Sequence, residues 1–167
     1  MASIKYGCIT PNVRGREYPV AASQYFYHDG VNAVYLDASG HVTTALTATA
    51  TLKGIAIVPK GRGAGSSDAY WLSNATAAVD KVFVITDPNA EYLLPAGGTI
   101  AGDTTVTAAM AGNACDLTAV NDGSATWVDV DTSVTDVFLI QAQGINYGGA
   151  ATDVVVKINP AKTQADT

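Results

Sequence analysis

The sequence predicts an all-β, antiparallel fold: a β-sandwich or β-barrel body with an extended amino-terminal arm. Three observations carry that prediction. The chain has 167 residues, enough for one domain with its own core. Only 14% of them are charged, against about 25% in a typical globular chain, and Ala, Thr, Val and Gly take their place. Short runs rich in β-branched and aromatic residues recur along the chain, separated by Gly, Asn and Ser. The expected organisation is an arm over 1–24, a single β-rich domain over 25–160 and a tail over 161–167. A boundary between two subdomains near 81 is the alternative.

In residues 1–24, Pro11, Gly15 and Pro19 interrupt any period, and Lys5, Arg14 and Arg16 carry the cations. Tyr6, Ile9, Val13 and Tyr18 give this stretch more apolar surface than a solvated tail needs, which favours an arm that binds a partner. Strands are then expected at YFYH (25–28), AVYLD (33–37), TALTATATL (44–52), GIAIVP (54–59) and AYWL (69–72). In 44–52, Leu46, Ala48, Ala50 and Leu52 alternate with threonines, the period of two that separates the faces of a strand. KVFVIT (81–86) and AEYLL (90–94) read as a hairpin about Asp87-Pro88-Asn89. There the Asp carboxylate can accept from the backbone two residues on, and Pro88 presets its own φ. TTVTA (104–108), ATWVDVD (125–131), DVFLIQAQG (136–144) and DVVVKI (153–158) complete the set, with PAGG, GNACD, NDGS and NYGG as punctuation.

The net charge of −6 is unevenly spread: residues 82–156 hold nine acids and no Lys or Arg, whereas residues 1–81 sum to +2. Contact with nucleic acid is not expected, because it needs clustered cations to displace counterions from phosphates. Two cysteines, Cys8 and Cys115, do not make a disulfide scaffold. The opening MASIKYGCITPNVRGREYP has no apolar leader core and no run approaches a membrane span, so synthesis and folding in a cytoplasm are expected.

Motifs of catalysis are sparse. KGRGAGSS (60–67) resembles a phosphate loop but lacks the closing G-K-[ST] and a following helical pattern, so it reads as a loop. Asp122, Asp129, Asp131 and Asp136 read as a solvated acidic face, with a Ca²⁺ site as the alternative. His28 and His41 have no ligand at metal spacing, and no G-x-S-x-G elbow occurs. Trp71 and Trp127 are either core residues or a sugar platform. No enzyme activity, catalytic residue, cofactor or metal is expected.

The order KVFVITDPNAEYLLPAG, TVTAAMAGNACDL, TWVDVDTSVTDVFLIQAQGI and TDVVVKINP resembles the capsid decoration, or cement, proteins of tailed bacteriophages. The matching positions are Asp87, Pro88, Asn89, Gly112, Asn113, Asp116, Lys157, Ile158 and Asn159, within residues 81–160. The chain departs from the pattern in lacking a full-length Gly- and Ser-rich insert before the last two strands. The resemblance implies a virion protein of the outer capsid surface, made in the host bacterial cytoplasm. Its partner would be the major capsid protein, and it would form a homo-oligomer, with a trimer favoured over a dimer. Lys5, Tyr6, Arg14, Arg16 and Tyr18 are the expected capsid-contact residues of the arm. A carbohydrate- or receptor-binding module of a head fibre or tail is the alternative reading.

Overall fold

The computed structural model describes residues 6–28, 31–58, 70–97, 104–120, 125–130, 134–147 and 151–165. The fold is all-β, with antiparallel strands in three sheets. The strands are β1 (Gly7–Cys8), β2 (Gly15–Pro19), β3 (Tyr25–Tyr27), β4 (Asn32–Leu36), β5 (Val42–Thr44), β6 (Gly54–Ile57) and β7 (Tyr70–Leu72). They continue with β8 (Lys81–Ile85), β9 (Tyr92–Pro95), β10 (Ala114–Val120), β11 (Ala125–Asp129), β12 (Phe138–Gln143) and β13 (Asp153–Ile158). One sheet runs β1-β9-β13-β12-β10-β11, a second runs β2-β8-β6-β4-β5, and β3 and β7 form a two-stranded ribbon. Among the described residues, no helix is long and apolar enough to cross a membrane.

Side-chain alternation stacks these sheets in layers. Ile55 pairs with Ile85 and Ala56 with Val84, so each pair shares a face of the second sheet. On one face Ala33, Ile55 and Ile85 join Tyr92, Leu94, Phe138, Val154 and Val156 of the first sheet in one core. On the other, Val34, Ala56, Val82 and Val84 pack with Phe26 and Trp71 of the ribbon. Where β6 and β8 are covered on both faces, at Ile55, Ala56, Val84 and Ile85, they have no reason to carry polar residues, and KVFVI and GIAI read as nearly continuous apolar runs.

Isolated bridges also tie together strands that are not ladder neighbours in each large sheet. Val20 bridges Val42, and the Ala21 N–H donates to the Val42 carbonyl at 2.9 Å, so the chain beyond β2 returns to β5. Ala96 likewise bridges Val128, bringing β9 back to β11.

The described part of the amino-terminal segment, expected as an arm, is built into the sheets instead of projecting from them. β1 pairs with β9 and β2 with β8, which places one segment on both large sheets. Tyr18 and Val20 supply the reason, since both are buried in the core beneath the ribbon. Beyond Asn159, residues of the expected tail also dock: Thr163 bridges Leu52, and the Gln164 side chain accepts from the Leu36 N–H and donates to the Leu36 carbonyl.

Several local expectations change. The expected hairpin about Asp87 is a crossover, because β8 lies in the second sheet and β9 in the first. Both runs are apolar on both faces, so each needs its own flanking strands and the turn carries the chain across the core. TALTATATL is a strand only as far as Thr44. There the Leu46 N–H donates to the Thr49 hydroxyl at 2.9 Å and the Thr49 N–H to the Leu46 carbonyl at 2.8 Å, a local closure that replaces the ladder. TTVTA is irregular and leads into a short 3₁₀ turn, Ala108–Met110. GNACD, expected as punctuation, opens β10, whose Cys115 and Leu117 are fully buried on either side of Asp116.

Candidate functional site

Two of the polar positions singled out in the sequence, Asp87 and Asp116, are corner latches. At the crossover, the Ala90 N–H donates to the Asp87 carbonyl at 3.1 Å and the Asn89 N–H to Asp87 Oδ1 at 3.0 Å, which is the expected turn. Asp87 Oδ2 also accepts from the Arg14 N–H at 3.2 Å, and the Arg14 guanidinium lies 3.7 Å away. Hydrogen bonds from the Asn89 and Arg14 amides hold the Asp87 carboxyl below its ordinary range. The Arg14 side chain remains 76% exposed, so this ion pair ties the amino-terminal segment to the corner without being buried.

Asp116 forms the second latch. Its carboxylate accepts from the successive N–H groups of Val134, Thr135 and Asp136 and from the Thr135 hydroxyl, at 2.8–3.1 Å. Burial pushes the carboxyl up, but the amide donors together outweigh it and the net shift is downward. Asp136 takes φ of 57°, the left-handed conformation that turns successive N–H groups toward one anion. Asn159 extends the corner by donating from Nδ2 to the Asp136 carbonyl at 2.8 Å and capping the 3₁₀ turn Pro160–Lys162 through Oδ1. Gly112, at φ of 90°, donates to the Ile140 carbonyl, and the Asn113 carbonyl accepts from the Ile140 N–H. Lys157 and Ile158 pair with Leu139 and Phe138, and Pro88 is exposed at its turn.

The expected arm residues are dispersed. Lys5 lies outside the described residues. Tyr6 donates its hydroxyl to Asp153 Oδ1 at 2.9 Å; burial, then this bond and the Asp153 charge, raise its pKa to about 12. Arg16 sits over the Tyr18 ring at 4.6 Å, and Tyr18 itself faces the core. Arg14 precedes β2 and Arg16 lies within it, and β2 pairs with β8 alone among the described strands. The Thr86 N–H donates to the Arg14 carbonyl and the Val20 N–H to the Asp80 carbonyl. In an antiparallel ladder, that phase turns the backbone of Arg16 and Tyr18 toward β8 and that of Gly15 and Glu17 outward. Phe83 and Ile57, cross-strand partners, stand 37% and 50% exposed on the same face as Glu17. An ideal Cβ at Gly15 would meet the Phe83 ring at 2.6 Å, so the ring lies across the glycine. Beside Ile57 a groove of about 360 Å³ is lined by Cys8, His28, Val31, Ile55 and Ile85.

The remaining candidates separate. Trp71 is buried against Phe26 at 5.5 Å, whereas Trp127 is half-buried on β11. Asp122, Asp131 and KGRGAGSS fall outside the described residues, and no cluster of three His, Cys, Asp or Glu gathers among those described. His28 is exposed, and His41 Nδ1 lies 3.7 Å from Asp37. Cys8 and Cys115 are free thiols, and burial is the main cause raising both above the ordinary thiol range.

What sequence reasoning missed is the edge of β2, hidden because it treated residues 1–24 as one arm. The signal was present in GREYP, a short alternating run with a strand-ending Pro. No protein-family model, curated protein or solved structure matches the chain.

Proposed function

We propose that the protein is a structural component of a tailed-phage virion. On this reading it seats on the outer capsid surface as a homo-oligomer, a trimer, and stabilises the junctions between major capsid subunits. The observation that carries the reading is the β2 edge: outward main-chain groups at Gly15 and Glu17, flanked by Arg14 and Arg16 and bordered by exposed Phe83 and Ile57. Such an edge can accept a strand from a neighbour.

The edge is also set against itself. In a two-fold antiparallel pairing of β2 with its own copy centred on Arg16 or on Glu17, Arg16 faces Arg16 or Glu17 faces Glu17, and like charges directly opposite are unfavourable. A strand of a different protein avoids that conflict. Copies that bind only the assembled shell stabilise it by mass action, in proportion to RT ln(1 + [L]/Kd). The action is therefore mechanical, against the pressure of packaged DNA.

The test is co-sedimentation with expanded shells, comparing the natural chain with Glu17→Pro. The substitution removes an outward N–H and no bond to β8, so the body stays folded. Pelleting in a fixed copy ratio, lost in Glu17→Pro, supports the reading. A natural chain that stays in the supernatant overturns it.

A further inference from the structure

We infer that the outer face of the β3–β7 ribbon, formed by Tyr25, Tyr27 and Tyr70, binds neutral polysaccharide. The register pairs Tyr25 with Leu72, Phe26 with Trp71 and Tyr27 with Tyr70. Alternation sends Phe26 and Trp71 inward, to 0% and 5% exposure, and turns the three tyrosines to the other side. Tyr25 is 40% exposed, Tyr27 and Tyr70 are half-buried, and the ribbon covers the sheet face opposite the one bearing Phe83 and Ile57.

The rings form one cluster. Tyr70 stands edge-on to Tyr25, with centroids 5.0 Å apart at 67°, and tilted to Tyr27 at 5.8 Å and 50°. Asn32 fixes the end of β3 by accepting from the Tyr27 N–H at 2.9 Å and donating to the Tyr27 carbonyl at 3.0 Å. The tyrosines are therefore held in place before any ligand arrives, which lowers the entropic cost of binding.

Charge selects the ligand class. Residues 20–28 and 70–79 contain no Lys, Arg, Asp or Glu, so among the described residues the ribbon and its flanks offer no formal charge to neutralise a phosphate or to pair with a charged peptide. The negative π faces attract the weakly positive C–H groups of a pyranose ring. The three phenolic hydroxyls, which bond to no described residue, can exchange hydrogen bonds with sugar hydroxyls. A neutral, polyhydroxylated chain with apolar ring faces satisfies both demands. This site stands apart from the β2 edge and does not depend on capsid seating.

Affinity electrophoresis of the full chain through gels containing a glucan, a mannan or a galactan tests the inference, with heparin as the anionic control. The expected result is retardation by at least one neutral polysaccharide, insensitive to salt and weakened about tenfold in Tyr25→Ala or Tyr70→Ala. Tyr25→Phe keeps the ring and retains most of the retardation. Three results overturn the site: no retardation by any neutral polysaccharide, retardation by heparin alone, or full retardation in a folded Tyr25→Ala variant. Shell co-sedimentation of Tyr25→Ala separates the two readings. Loss of pelleting with retardation unchanged assigns the tyrosine face to a protein contact and overturns the inference, leaving the capsid reading standing.

Discussion

The Asp87 corner and the Asp116 corner use one device, a carboxylate gathering backbone N–H groups, in different surroundings. Asp87 holds Asn89 and Arg14 at a turn whose Pro88 and Asn89 are exposed, and its ion-pair partner Arg14 is mostly solvated. Asp116, 7% exposed, holds three consecutive amides and one hydroxyl, and so fixes the loop that displays Val134 at 83% exposure. The difference teaches that a latch matters in proportion to what is stranded when it opens. Opening the Asp87 latch frees two amides, whereas opening the Asp116 latch frees three amides and a hydroxyl at once and leaves a gap at a buried position of β10.

The largest expected effect is therefore at Asp116. Asp116→Ala should lower unfolding free energy by about 2–3 kcal/mol, read by denaturant titration, because hydrogen bonds from four donors to one charged group are lost together. A loss no greater than that of Asp87→Ala would break the contrast. The acid limb sharpens it. A carboxyl with a depressed folded pKa contributes stability above its unfolded value, near 3.9, and that contribution is lost as pH falls through the folded value. Asp116→Asn should flatten the stability profile below about pH 4, measured by thermal melts across pH, more than Asp87→Asn does.

Asp153, 2% exposed, is an intermediate case with Tyr6 as a donor. Tyr6→Phe should cost about 1 kcal/mol in the same titration. The raised Tyr6 pKa places its contribution below pH 10, lost as pH climbs toward about 12, so Tyr6→Phe should also flatten the alkaline limb. The smallest expected effect is Asp87→Ala. It should speed hydrogen exchange at the Arg14 amide with little change in melting temperature, and added salt should shrink the difference from the natural chain.

The contrast also marks how far the sequence could be read. The Asp87 turn was legible because its hydrogen bonds to Asn89 and Ala90 are local. Arg14, 73 residues away, was not, and neither was the crossing between sheets, because the same turn serves a hairpin or a crossover. Asp116 was visible only as a position in a resemblance. Its place in β10 follows from Cys115 and Leu117 alternating about it, a pattern masked by the preceding Gly-Asn. The threonines of 44–52 suggested a strand by period, but their hydroxyls also offer the backbone local partners, and that option won. YFY and YWL showed alternating aromatic strands from the start. Which ring of each faced solvent depended on the sheet beneath, and the structure buries Trp71 and leaves Tyr25 outside.

The bond between Tyr6 and Asp153 joins residues 147 positions apart, and Gln164 meets Leu36 across 128. During translation, Tyr6 waits for 147 further residues to be added before its partner exists. Contacts of such long sequence separation close large loops and make folding slow. β8 emerges after both of its sheet neighbours, β2 and β6, whereas β9 has only β1 beside it until β13 is made, so the seam that Tyr6 begins closes late.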